Sequence, residues 1–427
     1  MEPPTSVLLG VPPTVGPDHS SRKVRPTLPM ARHAPFSIRV RFNWRCGLTG
    51  STNRVIRVGI ENSGLKPMRF GIYCEIQTPP GKSHYDMIWE IMRQIEHADD
   101  VGFDVYSVID HHFFQKFSIS ANPLAMFAAA AQRTQRIRFR TALHTLPLEN
   151  PMRLAGMIAE TDILTNGRLE CGLGRGHAWL FGPSALPLEE SRPRYNEAID
   201  ILELAFTKDK FSYDGEFYKV KDVSVVPRPL QKPHPKFYTG GTSDITYQMA
   251  GERGWGIFVP PLLPWKVLEA PLNIYKKACA QSGHSPDIVY IRPVYLDDDE
   301  SAIRREVEQS LLNFLAFNAS PVDSLQDEQK KQELRSKGYG FYASGALESL
   351  TKLTYDEIVD QEIGFIGTPE KVVRQIENLQ AKGGIGELAI VSNFGGLDHW
   401  KSIKTQQLFA EKVMPAFRGS AHKAAAD

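Results

Sequence analysis

The chain is poor in cysteine: Cys46, Cys74, Cys171 and Cys279 are its only four in 427 residues, with no C-x-x-C spacing and no companion histidine tract. That excludes a disulfide scaffold and a zinc module and fits a reducing compartment, so the expected location is cytoplasmic. An excess of charge of one sign is also missing, since 50 Lys and Arg face 49 Asp and Glu. Such a balance gives no whole-chain attraction to nucleic acid or to an anionic membrane. Long apolar runs are absent too: the run of small residues around Ala125 to Ala131 falls well short of the roughly 18 residues a membrane helix needs. Neither H-x-x-x-H nor H-E-x-x-H occurs, so no metal site is expected. What is there is an ordinary globular balance, 42% hydrophobic and 23% charged, long enough to bury a large core. A small molecule is the expected partner.

Residues 1–67 stand apart. They hold ten Lys and Arg, among them Arg22, Arg25, Arg39, Arg41 and Arg57, against the three acids Glu2, Asp18 and Glu61, and nine prolines break every helix or strand pattern. A basic, proline-rich segment of this kind is expected to be disordered. An organellar transit segment is one reading of it. The other takes Met68 as a natural start, because Met68-Arg69-Phe70-Gly71-Ile72-Tyr73 opens at once as a strand, and the loss of periodicity before it favours that reading. The folded domain is therefore expected over residues 68–420.

From Met68 short β-rich runs alternate with helical patterns. Strands are expected at 69–74, 104–109, 137–143, 168–173, 236–239, 256–259, 288–295 and 387–392. Helices are expected at 84–101, 123–133, 151–164, 194–206, 246–253, 265–282, 299–317 and 369–381, with Gly102 ending the first. Eight strands alternating with helices predict a parallel sheet, and a closed (β/α)₈ TIM-type barrel suits them better than an open sheet. The surplus length falls between the seventh and eighth strands, where residues 318–365 read as an insertion. In such a barrel the chemistry gathers where strands end.

Three strand ends carry reactive or ligand-binding groups. After the second strand comes Asp110-His111-His112-Phe113-Phe114. Adjacent residues leaving a strand point to opposite sides, so one imidazole can face the cavity while the other sits in the wall. A hydrogen-bonded pair with a purely structural role, or a metal site completed by a distant third ligand, are the alternatives. After the fourth strand, Gly172-Leu173-Gly174-Arg175-Gly176-His177-Ala178-Trp179 combines close-approach glycines with an arginine suited to phosphate. Its spacing is not that of a dinucleotide G-x-G-x-x-G, which excludes a Rossmann site. After the fifth strand, Gly240-Gly241-Thr242-Ser243-Asp244-Ile245-Thr246 runs into a helix with Ser243 as the expected N-cap. Free amides and the helix dipole make an anion site there, with the hydroxyls of Ser243 and Thr246 as further donors, although plain capping explains the same residues.

In order along the chain, these segments resemble the bacterial luciferase-like flavin monooxygenase family over residues 68–418. The resemblance rests on Met68-Arg69-Phe70-Gly71-Ile72, Asp110-His111-His112-Phe113, Thr141-Ala142-Leu143, Leu146-Pro147-Leu148-Glu149-Asn150-Pro151 and Gly174-Arg175-Gly176. It continues through Ser243 to Ala250, Ile366-Gly367-Thr368-Pro369-Glu370, Asn393-Phe394-Gly395-Gly396-Leu397 and the closing Phe409 to Phe417. It implies a TIM-type barrel that takes reduced FMN from a separate NAD(P)H:flavin reductase. It further implies that the flavin reacts with dioxygen and that the 4a-hydroperoxide so formed oxygenates a small organic substrate.

The same resemblance implies that Arg175, Gly241, Thr242, Ser243 and Thr246 hold the FMN phosphate. It puts a cis peptide at Ala142-Leu143 beneath the flavin ring, Asp110 near the cofactor, His111 as catalytic base or hydrogen-bonding support with His112 as the second candidate, and a homodimer. Luciferases carry Glu where Asp110 stands, and a reactive cysteine where Gly174 stands, so an oxygenase and not a light emitter is expected. Phe113, Phe114, Trp179 and the insertion are expected to wall off water. Two other functions stay open: a deazaflavin-dependent oxidoreductase on the same barrel, separable by cofactor preference, and a non-catalytic flavin-binding subunit, which would bind FMN without turnover.

Overall fold

The computed structural model describes residues 68–325 and 327–418. The expectations for residues 1–67, and the last two residues of the expected domain, lie outside them. The elements run β1 (Arg69–Cys74), α1 (His84–Val101), β2 (Val105–Val108), α2 (Pro123–Ala131), β3 (Arg138–Thr145), α3 (Pro151–Leu164), β4 (Leu169–Gly174), α4 (Ser191–Thr207). They continue β5 (Phe211–Asp214), β6 (Lys219–Val223), β7 (Phe237–Gly240), α5 (Asp244–Glu252), β8 (Gly256–Val259), α6 (Trp265–Gln281), β9 (Ile288–Leu296), α7 (Glu300–Ala319). The last are α8 (Glu328–Ser336), α9 (Ala346–Leu350), α10 (Tyr355–Asp360), β10 (Phe365–Gly367), α11 (Pro369–Gly383), β11 (Glu387–Val391) and α12 (His399–Leu408).

Eight of the strands close a ring in the order β1, β2, β3, β4, β7, β8, β9, β11 and back to β1, every neighbouring pair parallel. These are the eight strands expected from the sequence, each within about two residues of its bounds. Their burial explains the ring: β1, β2, β4, β8, β9 and β11 are buried almost throughout, as strands covered on both faces must be. Outside them, α1 buries Met87, Ile91, Ile95 and Ala98 on one stripe. Its ends follow local chemistry. The Ser83 side chain accepts the Asp86 N–H, and Gly102, at φ 98°, closes the helix with bonds to the carbonyls of Ala98 and Asp99.

Two elements were not expected. A surface hairpin, β5 with β6, precedes β7, and β10 adds a ninth parallel strand beside β9. The insertion between β9 and β11 is also more structured than the bare segment expected, holding α8, α9, α10 and β10. Helix α5 starts at Asp244, two residues before its expected start.

The barrel floor, at the N-terminal ends of the strands, is charged but sealed. Arg140 is fully buried and donates to both carboxylate oxygens of Glu387 at 2.7 and 2.9 Å and to Glu170 at 2.7 Å. Arg69 and Arg138 complete the set on Glu170 at 3.0 and 2.7 Å. The Arg140 guanidinium also lies 4.0 Å over the Tyr238 ring. No helix among the described residues is long and apolar enough to cross a membrane.

Candidate active site

The C-terminal ends of the strands open onto one cavity. Tyr73 and Glu75 face it from the end of β1, Asp110 from β2, and Ala142, Leu143 and Thr145 from β3. Arg175, His177 and Trp179 come from beyond β4, Gly241 to Ser243 and Thr246 from beyond β7, and Phe258 to Leu263 from β8. The insertion covers it with Asn318, Gly338, Tyr339, Phe341, Tyr342, Leu347 and Leu350. Of the expected site residues, Asp110, Ala142, Leu143, Arg175, Gly241, Thr242, Ser243 and Thr246 stand on this wall; His111 and His112 do not.

One side of the cavity is built for an anion. Ser243 occupies the N-cap of α5, but its hydroxyl does not cap the helix; it meets the Thr246 hydroxyl at 2.9 Å, and the first amides of α5 are left without that side-chain acceptor. Arg175 donates to the carbonyls of Lys337 and Gly338 at 3.1 and 2.7 Å and lies 3.6 Å over the Tyr339 ring. Arg192, at the start of α4, lines the same space, and among the described residues neither arginine is paired with a carboxylate. Burial lowers the Arg175 pKa, and Arg192 pushes it the same way. Two unneutralised guanidinium groups beside a helix start and two hydroxyls form the donor set of a phosphate seat, which fits the phosphate end of a flavin mononucleotide.

Between β3 and β4 the backbones run close. The Ala142-Leu143 peptide is cis. A Cβ on Gly172 would lie 2.2 Å from the Thr141 carbonyl oxygen, so only glycine fits there. A Cβ on Gly174 would press the Leu143 side chain at 2.9 Å, so Leu143 takes part of the space that a side chain at 174 would need.

The histidines divide. His111 is fully buried; its Nε2 accepts the Trp179 indole N–H at 2.9 Å, and its Nδ1 has no hydrogen-bond partner. Burial, together with His177 and His112, pushes it down to about 2, so it is a neutral imidazole. His112 is partly exposed, 3.2 Å from Asp110, whose other oxygen is 3.2 Å from His144 Nδ1. The Asp110 bond raises the pKa of His112. Burial works to raise Asp110, but its bonds to His112 and His144 outweigh burial and hold the carboxyl below its ordinary value.

The imidazole that does reach the cavity is His177, stacked on Trp179 at 4.4 Å, with its Nδ1 2.9 Å from the Tyr342 hydroxyl. Burial pushes it down to about 4. Phe117, not Phe113 or Phe114, closes the wall beside these rings: Phe113 is 60% exposed, because it leaves β2 on a left-handed turn at φ 72° that throws its ring outward.

Sequence reasoning passed over His177, Arg192, Tyr342 and Glu75 as site residues. His177 lay inside the glycine-arginine segment and Glu75 is an acid ending an otherwise apolar strand, so both had a signal. Arg192 and Tyr342 had none. Among the described residues no group of three His, Cys, Asp or Glu side chains is placed to hold a metal ion.

A parallel eight-stranded barrel whose C-terminal mouth opens onto an aromatic cavity with two arginines free of carboxylate partners has the architecture of a barrel enzyme. The family model described as luciferase-like monooxygenase matches residues 68–385, so the chain belongs to that family, the one its sequence resembles. It is 27% identical to limonene 1,2-monooxygenase of Rhodococcus erythropolis over 78% of this chain and 82% of that protein. It is 25% identical to the alkanal monooxygenase alpha chain of Photobacterium leiognathi over 82% of this chain and 98% of that one. Among solved structures, the monooxygenase RslO1 from Streptomyces bottropensis superposes with a TM-score of 0.69 at 25% identity, covering 82% of this chain and all of that one. The chain is a flavin-dependent monooxygenase of luciferase-like type.

Proposed function

We propose that the chain takes reduced FMN from a separate flavin reductase and, with dioxygen, oxygenates a small organic substrate. One observation carries the choice of FMN: the seat of Arg175, Arg192, Gly241, Thr242, Ser243 and Thr246 offers two cations without carboxylate partners, suited to a terminal phosphate dianion. Bound reduced FMN would supply the electrons that activate dioxygen for transfer of one oxygen atom.

The chain's own residues bind, orient and exclude water. Arg175 and Arg192 neutralise the phosphate, while Ser243 and Thr246 add hydroxyl donors. Asp110, Ala142 and Leu143 are the proposed contacts of the flavin ring. Trp179, His177 and Phe117 keep solvent from the reacting atoms, which protects the activated oxygen from loss as hydrogen peroxide. His111 is a positioning residue in this reading: as a neutral acceptor it fixes the indole on which His177 stacks. His112 tethers Asp110 from outside the cavity.

Titrating the full chain with FMN, riboflavin and a deazaflavin, by quenching of flavin fluorescence, tests the seat. FMN is expected to bind at least tenfold tighter than riboflavin and to lose that advantage in Arg175→Ala. Equal affinity for FMN and riboflavin refutes the phosphate seat. Tighter binding of the deazaflavin moves the chain to hydride transfer, and FMN binding with no substrate-dependent oxygen uptake makes it a non-catalytic subunit.

A further inference from the structure

Two imidazoles stand beside the aromatic wall, and their hydrogen bonds give them opposite roles. An indole N–H only donates, so the Trp179 bond at 2.9 Å leaves His111 Nε2 without a proton and puts the ring proton on Nδ1. That Nδ1 is buried without a partner, and His111 does not line the cavity, so neither of its nitrogens is open to a ligand. His177 does line the cavity. Gly176, at φ 85°, bends the chain after Arg175 so close to β3 that a Cβ on it would lie 2.3 Å from the Thr145 methyl group. The imidazole that follows packs flat on Trp179 at 4.4 Å, with 6° between the ring planes.

Tyr342, from the short turn Gly340–Ala343 between α8 and α9, sets the state of that ring. Its own ring is held by edge contacts with Trp179 at 5.1 Å and Phe341 at 5.6 Å, and its amide donates to the Tyr339 carbonyl at 3.0 Å. Among the described residues the one acceptor for its hydroxyl is His177 Nδ1, at 2.9 Å. The O–H therefore donates, Nδ1 accepts, and the ring proton of His177 sits on Nε2. No carboxylate pairs with this imidazole among the described residues, and burial pushes it down to about 4, so a second proton does not join the first.

We propose that His177 is the catalytic imidazole of this site, donating Nε2–H to the reacting oxygen, and that Tyr342 is the positioning residue that keeps the proton on that nitrogen. The inference rests on the oxygenase reading and deepens it, by moving the imidazole that meets the reacting atoms from His111, where the family resemblance puts it, to His177. With Nδ1 taken by Tyr342, Nε2 is the nitrogen left for a ligand, and it makes no hydrogen bond among the described residues. Set in a wall of Phe117, Trp179 and Phe341, such a donor meets little competition from water, which strengthens its hold on charge that develops on an oxygen. The proton stays on nitrogen throughout; the bond orients the oxygen and keeps water from its place.

Two measurements on the full chain test the proposal. Histidine nitrogen NMR of the flavin-free protein is expected to show His177 as the Nε2–H tautomer, its signal assigned by its loss in His177→Gln, and Tyr342→Phe is expected to mix the two tautomers. An Nδ1–H tautomer in the parent chain overturns the proposal. The second measurement follows hydrogen peroxide release after the chain loaded with photoreduced FMN meets oxygenated buffer. His177→Ala is expected to release peroxide about tenfold faster than the parent, the value of one hydrogen bond, with FMN affinity held within about twofold. His177→Gln, which keeps an N–H near the place of Nε2, is expected to recover most of the delay, and Tyr342→Phe to lie between. A loss of FMN affinity in His177→Ala as large as that in Arg175→Ala would assign His177 to the phosphate seat and overturn the proposal. Parent release as fast as that from free FMN is a failure of the oxygenase reading, whereas a delay in the parent that His177→Ala leaves unchanged is a failure of this inference alone.

Discussion

The barrel carries a set of ionisable groups at each end, and the two are built oppositely. On the floor every charge is answered: Arg140 spans Glu170 and Glu387, and Arg69 and Arg138 close the remaining acceptors. At the mouth the half-buried Arg175 and Arg192 meet no acid, and the buried Glu75, pushed towards its neutral form, meets no base among the described residues. Burying a charge costs several kcal/mol unless it is compensated, so a closed network reads as structure and an open one as a place where a ligand completes the pairing. The same fold thus uses its strand starts for stability and its strand ends for chemistry.

Breaking the floor gives the largest expected effect. Arg140→Ala leaves Glu170 and Glu387 short of their central partner and is expected to cost about 3–5 kcal/mol, read as a lowered denaturant midpoint. Arg175→Ala reverses the pattern: stability shifts by about 1 kcal/mol or less, while FMN affinity falls at least tenfold. Equal stability losses in the two variants would erase the distinction between floor and mouth. His111→Ala is next; it removes the acceptor of the Trp179 indole and is expected to reduce substrate turnover more than flavin affinity, measured as oxygen uptake against fluorescence titration.

A pH series sharpens the comparison. His111 and His177 stay neutral in the folded chain but take a proton near pH 6.5 when unfolded, so their environment removes stability as pH falls below about 6.5. Glu75 works from the other side. Its folded value is raised above the unfolded one, so the unfolded chain gives up the proton first and stability declines as pH rises from about 4.5 towards 8. Thermal unfolding between pH 5 and 8 is therefore expected to fall less steeply in Glu75→Gln than in the parent chain. The smallest effect belongs to Phe113→Ser, whose 60% exposed ring touches neither set: about 0.5 kcal/mol or less, with flavin binding unchanged.

The barrel was legible because its strands are buried runs between helices: Gly102 marks the end of α1 in the sequence as in the structure, and the structure adds Ser83, Asn150 and Thr368 as caps at the starts of α1, α3 and α11. The hairpin of β5 and β6 was missed although Asp214-Gly215 sits at its turn, since its mostly exposed strands lack an apolar face to follow. β10 is three residues long, too short for any period to register.

At the site, the glycine-arginine loop and the start of α5 announced the anion seat, because phosphate chemistry uses local backbone and adjacent side chains. Glu75 and Asn318 meet only through the closure of the barrel, and no local pattern brings residues more than 240 positions apart together. The His111-His112 pair was found but not its orientation: the turn after β2 places His111 behind the wall, against the Trp179 indole, and His177, stacked on Trp179, takes the cavity position instead.

The most direct measurement mixes the full chain anaerobically with photoreduced FMN, then with oxygenated buffer, and follows flavin absorbance by stopped flow. The account predicts a protein-dependent oxygenated flavin species that outlives free reduced flavin and is lost when Arg175 is replaced by alanine. Reoxidation indistinguishable from that of free FMN would contradict it.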